Sequence, residues 1–260
     1  MTNINRLEVL LFGKLPYKWK RVLFKIWFTL SEAGRVSGRG ERWVAGSWKE
    51  VLAVGEFYGV HHAHRYHWAN SILFAPSTVL DLGCGTGYGS WFLASQGKKV
   101  TGYDVDEKSI NWAKKHFQHE NLTFTTILDE KIYDHIVCFE TLEHAPEAVE
   151  KYISKCLSSK GTLIISTANG STDSVRNLLI KMNLVTINPG HVKEFTKNEF
   201  ELLLKKYFGY VAVFGQCAKN VYSFMDWNNS RKKNNIKIED FEMRSNDFSN
   251  CEVLVAVCKK

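Results

Sequence analysis

At 260 residues, 45% hydrophobic and 23% charged, the chain has the size and composition of one α/β domain with an extension. Its net charge of +7 is uneven. Lys14, Lys18, Lys20, Arg21, Lys25, Arg35, Arg39 and Arg42 crowd the N-terminal stretch against Glu32 and Glu41, which points to an anionic partner: a lipid surface, a phosphorylated substrate or nucleic acid. No apolar run of about 18 residues is present to span a membrane, and no secretory signal is visible. None of the six cysteines forms a CxxC pair, and Cys84 and Cys138 read as reduced core thiols, so a cytoplasmic location is expected.

Residues 1–40 read as an appendage and 41–260 as the main domain. From Lys14 to Leu30, Lys14, Lys18, Arg21 and Lys25 recur at helical spacing on one face, while Trp19, Val22, Leu23, Ile26, Trp27 and Leu30 fill the other. A basic amphipathic helix with tryptophans suits the interface of an anionic bilayer, which would place the protein at the inner face of the membrane. Lys20 interrupts the apolar face, and packing on the domain or on a second subunit is the alternative. Ala33–Gly40 is a Gly- and Ser-containing connector.

The most informative segment is Val79-Leu80-Asp81-Leu82-Gly83-Cys84-Gly85-Thr86-Gly87-Tyr88. A short apolar strand ends in an acid, passes through a glycine-dense turn and enters a helix. A second strand, Lys98–Tyr103, ends in Asp104, about 20 residues on, where a carboxylate can accept the hydroxyls of a ribose. The loop does not have the GxGxxG spacing of a dinucleotide site. It resembles the acid–x–Gly–x–Gly–x–Gly loop of class I S-adenosylmethionine-dependent methyltransferases, matched by Asp81, Gly83, Gly85 and Gly87 over a likeness covering roughly residues 60–215. That resemblance implies S-adenosylmethionine as cofactor, with the loop on its methionine part, Asp104 on its ribose and Val105 beside its adenine.

The remaining pattern predicts a helix over Glu107–Phe117, a strand near Leu122–Ile127, a strand at Ile136–Phe139, a helix over Pro146–Leu157 and a strand at Thr162–Thr167. Thr196 and Glu199 form a capping box that opens a helix running to Tyr207. Val211–Phe214 and Val253–Val257 read as a final antiparallel pair, with Asn228–Asn250 as a polar surface loop. The expected fold is a doubly wound, mostly parallel seven-stranded sheet of the Rossmann-like methyltransferase type. His61, His62, His64 and His67 lie on a helix expected to cover the cofactor, with Arg65 reaching the cofactor carboxylate.

After the fourth strand, Glu140, Glu143 and His144 fall at i, i+3 and i+4, and would share a face if the segment makes a helical turn. His191 follows a Pro-Gly turn beyond the fifth strand and would face the same edge. Carboxylates with an imidazole suit Mg²⁺ or Mn²⁺. The ExxEH-plus-His set resembles the metal site of small-RNA 2′-O-methyltransferases, and ExxEH alone resembles ubiquinone-pathway O-methyltransferases. By that likeness Glu140, Glu143, His144 and His191 would bind Mg²⁺. His144 as a base without metal, or a purely structural role, are the alternatives.

The segments Gly40–Val44 and His64–Ala69 resemble a bacterial methyltransferase subgroup associated with surface-polysaccharide and sugar genes. The leading expectation is therefore O-methylation of a sugar hydroxyl in a glycan, nucleotide sugar or lipid-linked saccharide, with Glu143, His144 and His191 as the catalytic residues. RNA 2′-O-methylation and quinone-pathway O-methylation are the rivals. RNA is the weaker one, since no RNA-binding module is visible, and a non-catalytic cofactor-binding regulator ranks last.

Overall fold

Strand β1 (Thr78–Leu82) is buried along almost its whole length, as a strand covered on both faces must be. It pairs in parallel with β2 (Lys99–Tyr103) on one side and β4 (Tyr133–Cys138) on the other. Our computed structural model describes residues 44–53, 57–128, 131–171, 191–219, 236–248 and 251–260. The chain divides into two units, Met1–Val44 and Ala45–Lys260, and every element below belongs to the second. The amphipathic segment of residues 1–40 lies outside the described residues.

In chain order the elements are α1 (Trp48–Ala53), α2 (Phe57–Ile72), β1, α3 (Tyr88–Ser95), β2, α4 (Glu107–His116), β3 (Leu122–Thr125), β4, α5 (Pro146–Cys156), β5 (Leu157–Ala168), α6 (Lys197–Lys205), β6 (Tyr210–Ala218), a 3₁₀ turn (Ile238–Asp240), β7 (Phe241–Arg244) and β8 (Val253–Lys259). They build one eight-stranded sheet in the order β3-β2-β1-β4-β5-β8-β6-β7. The first five strands run parallel; β8 is antiparallel to both β5 and β6. The expected doubly wound sheet is therefore present, with eight strands rather than seven.

The additional strand comes from the stretch expected to be a surface loop. Phe241–Arg244 adds antiparallel to β6, from Phe241 opposite Ala218 to Arg244 opposite Gly215. Its Phe241 is buried, its ring 5.2 Å from that of His61 and 5.8 Å from that of His64 on α2. Arg244 Nε pairs with Glu242 Oε1 at 2.6 Å.

The helices form where local chemistry favours them. Asp106 caps α4, accepting from the Ser109 N–H at 3.0 Å, and Lys114, Lys115 and His116 sit at its negative end. Pro146 starts α5. The Thr196–Glu199 capping box starts α6, with the Thr196 N–H donating to Glu199 at 2.9 Å. Val149 and Ile153 of α5 and Phe200 and Leu204 of α6 pack on Leu80, Ile136, Ile165 and Leu254 of the sheet. Cys84, Cys138, Cys156 and Cys258 are buried thiols. Cys217 of β6 and Cys251 are joined as a disulfide, a pairing the sequence did not announce.

Candidate active site

β1 has β2 on one side and β4 on the other, so chain connections diverge from it and leave a crevice at the carboxyl ends of the strands. The loops after β1, β2, β4 and β5 all open there.

In the loop after β1, Gly83, Gly85 and Gly87 have φ of 78°, 54° and 87°. Gly87 caps α3, and a Cβ there would stand 2.6 Å from both Ala113 and Phe124. Gly85 differs: a Cβ there would meet nothing within 4 Å. The loop is thus packed at its end and open in its middle, as a backbone must be where a ligand approaches. Gly83 and Cys84 donate to the Tyr103 carbonyl at 2.8 and 2.9 Å, which ties the loop to the end of β2.

Asp104 is buried beside that loop. Its Oδ2 accepts from the Gly85 N–H at 2.9 Å and its Oδ1 from the Asp106 N–H at 2.9 Å. Each carboxylate oxygen has a second lone pair that can accept a ribose hydroxyl. The neighbouring Val105 is 77% exposed, an apolar surface for a flat ring. Asp81 is fully buried and accepts from Ser90 Oγ at 2.6 Å and from the Tyr66 hydroxyl at 3.2 Å. Burial raises its pKa to about 7, against the opposing pull of these two hydrogen bonds.

Arg65 is also fully buried. Its Nη1 lies 2.7 Å from Gln216 Oε1 and 3.3 Å from His61 Nδ1, while Nε and Nη2 have no partner among the described residues. Two unpartnered guanidinium donors in a buried position leave room for an anionic group. The histidines around it are held neutral: burial, then the Arg65 charge, lowers His61, His62 and His64, the last to about 4. His62 Nδ1 meets the Tyr88 hydroxyl at 2.9 Å, and His64 Nδ1 meets Gln216 Nε2 at 2.9 Å. These histidines lie on the helix packed against the glycine loop and, among the described residues, form no metal-type cluster.

Beyond β4 the structure departs from the expected shared face. Glu140 takes a left-handed φ of 51°. The turn begins after it, with the Thr141 carbonyl accepting from His144 and Ala145 at 3.1 and 3.2 Å. Ser166 Oγ donates to Glu140 Oε1 at 2.8 Å and fixes that carboxylate against β5. Glu140 is therefore not in the cluster: among the described residues, Glu143, His144 and His191 form the one group with ligand atoms all within 4.8 Å. Glu143 is buried and accepts from Thr167 Oγ1 at 3.2 Å and the Ala168 N–H at 3.4 Å. Burial, then the Glu140 charge, raises its pKa to about 8. The His144 and His191 rings meet edge to face with centroids 4.8 Å apart. The His191 segment is held by Val192 and Lys193, which donate to the Glu143 carbonyl at 2.8 and 3.2 Å.

Comparison with known proteins fits this geometry. Residues 60–212 match the family described as "Methyltransferase domain". The chain belongs to that family. It is a class I methyltransferase dependent on S-adenosylmethionine, and the open Gly85, the Asp104 oxygens and the unpartnered Arg65 donors fit that cofactor. Ubiquinone biosynthesis O-methyltransferases are among its relatives. The one from Nitrosomonas europaea is 28% identical over 55% of this chain and 67% of its own length. Those of Idiomarina loihiensis (34%) and Coxiella burnetii (38%) match over 37% and 35% of this chain and 44% and 43% of theirs. The chain thus spans less than half the length of the latter two. Among solved structures, a methyltransferase from Thermotoga maritima aligns with a TM-score of 0.56 and 19% identity over 78% of this methyltransferase and 93% of that chain. Magnesium protoporphyrin IX methyltransferase from Synechocystis with bound SAH aligns with a TM-score of 0.54 and 19% identity over 92% and 100%. Likeness at this identity concerns the fold. No helix among the described residues is long and apolar enough to cross a membrane.

Sequence reasoning missed two residues of this region. Gln216 orients Arg65 from a strand far along the chain, and no local signal marks it. Glu194 contacts His191, and only the H-x-x-E spacing hints at it.

Proposed function

We propose that this methyltransferase modifies a hydroxyl oxygen, and that its acceptor is a ring hydroxyl of a quinone precursor rather than a sugar. The observation that carries the oxygen chemistry is the Glu143, His144 and His191 cluster at the carboxyl edge of the sheet, in the crevice that opens on the cofactor loop. The acceptor class is supported by the relatives named as ubiquinone biosynthesis O-methyltransferases. These relatives favour the quinone reading over the sugar reading that led the sequence expectations.

When bound, S-adenosylmethionine supplies a methyl group on a cationic sulfur. The chain must hold both partners and remove one proton. Asp104 holds the ribose, Val105 supports the adenine, and Arg65 pairs with the carboxylate of the methionine part. Phenolic hydroxyls titrate near 10, so one imidazole is a sufficient base near neutral pH. His144 and His191 supply it. Burial and the neighbouring Glu140 charge favour the uncharged form of Glu143, which limits the negative charge set against the acceptor oxygen.

The donor set does not fit Mg²⁺ well. Mg²⁺ prefers oxygen ligands, whereas Glu140 is engaged by Ser166 and two of the three clustered groups are imidazoles. We assign no step to a metal.

The test is methyl transfer from labelled S-adenosylmethionine by the full chain, with a catechol-bearing quinone precursor, nucleotide sugars and RNA offered separately. A methyl ether on the catechol is expected, unchanged by a chelator. Label confined to sugar or RNA overturns the acceptor assignment.

A further inference from the structure

His191 Nδ1 lies 2.9 Å from Glu194 Oε1, and the two side chains are only 10% and 14% exposed. An ionised Glu194 carboxylate would only accept, and its contact with Nδ1 would then put the proton on Nδ1 and leave the lone pair of a neutral His191 on Nε2. The backbone on both sides is fixed. Val192 and Lys193 donate to the Glu143 carbonyl, and Gly170 donates to the Phe195 carbonyl at 2.8 Å. A Cβ at Gly170 would press on Glu194 and Phe195 backbone atoms at 3.0 Å. Phe195 is buried in the core. The pair is therefore clamped between the loops after β4 and β5, with the His144 ring 4.8 Å away.

We propose that Glu194 is a positioning residue for methyl transfer: it holds His191 as the Nδ1–H tautomer and so makes Nε2 the atom that takes the acceptor's proton. The acceptor O–H bond breaks, its proton passes to Nε2, and its electron pair forms the oxygen–methyl bond while the carbon–sulfur pair stays on sulfur. The imidazolium that forms is stabilised by the Glu194 carboxylate, as in other carboxylate–histidine pairs. This inference rests on the hydroxyl-methylation reading above.

The tautomer is measured directly. In the full chain labelled with ¹⁵N-histidine, long-range ¹H–¹⁵N correlations are recorded at about pH 8.5, well above the ordinary imidazole pKa, with His191→Gln assigning the signal. His191 is expected as Nδ1–H in the wild type and as Nε2–H in Glu194→Ala. Glu194→Gln, whose amide oxygen can still accept, is expected to keep the wild-type tautomer. In turnover, Glu194→Ala should lower kcat at least about tenfold, the scale on which partners of functional histidines act, while acceptor KM and cofactor Kd stay within about twofold. Glu194→Gln should fall between. An Nε2–H tautomer in the wild type, or an unchanged tautomer or kcat in Glu194→Ala, overturns the proposal. If no hydroxyl acceptor is methylated at all, the reading of the function fails, while the tautomer arm still decides the His191–Glu194 pairing.

Discussion

Asp104 and Gly85 are joined by a 2.9 Å hydrogen bond from the glycine's N–H to the carboxylate, so the acid that ends β2 shapes the loop that follows β1. The ligand-binding carboxylate and the loop that cradles the ligand are one unit. Asp104→Ala should weaken cofactor binding by about a hundredfold or more, since hydrogen bonds to a charged group contribute about 1.5–3 kcal/mol each. Titration calorimetry with S-adenosylhomocysteine checks this, and an unchanged Kd would refute the assignment.

Two glycines of the same loop should respond differently. Gly85→Ala meets no protein atom, so its cost to folding is the left-handed backbone strain of about 1–2 kcal/mol. Its methyl group would instead occupy cofactor space and weaken binding more than tenfold. Gly87→Ala adds a clash with Ala113 and Phe124 and should lose a further 1–3 kcal/mol of stability, the usual range for overpacking. Denaturant unfolding beside cofactor titration separates the two effects.

Replacing His144 or His191 with Gln should lower kcat by about 10²- to 10⁴-fold, the usual contribution of a general base. Cofactor affinity should hold, because neither side chain belongs to the glycine loop or to Asp104. Stopped activity with intact cofactor binding supports the division of labour. Normal turnover in both variants would remove the histidines from the mechanism.

Asp81 gives a pH prediction. Its pKa is raised from 3.8 to about 7 in the folded chain, so the folded state keeps a proton that the unfolded state has lost. Its contribution to stability is full below about pH 4, declines as pH rises through 7 and is then gone. Between pH 5 and pH 8 the wild type should lose about 3 kcal/mol through this group. Asp81→Asn removes that slope, so its stability relative to the wild type should rise by that amount over the interval. Unfolding curves of both proteins at the two pH values test it.

Arg65→Met removes two buried donors that have no partner among the described residues but also breaks the bond to Gln216, so the ligand-free protein should lose about 1–3 kcal/mol. The substitution should reduce the rise in Tm that S-adenosylhomocysteine produces. An equal rise in variant and wild type would detach Arg65 from the cofactor.

Much of the fold was legible because its signals are local. Asp81 and the glycines mark a strand–turn–helix, Asp104 ends the next strand, and Thr196 with Glu199 announces a helix start. What escaped depends on tertiary context. Phe241–Arg244 is four residues long in a polar stretch, and only the free edge of β6 makes it a strand. Glu140 has the spacing to share a helical face with Glu143, but its left-handed backbone and its bond to Ser166 take it elsewhere. Glu194 had only its i+3 spacing from His191 to mark it, because the pair exists only once that segment is folded.

The strand that the sequence hid also finishes the sheet. A long bare β6 would offer a row of unpaired amides and carbonyls on which another chain could grow. Four residues cover part of that row, and the new rim carries the facing charges of Glu242 and Arg244. A short, charged rim is a poor template for further pairing. β7 thus acts as a guard against strand-to-strand aggregation, at the end of the sheet opposite β3.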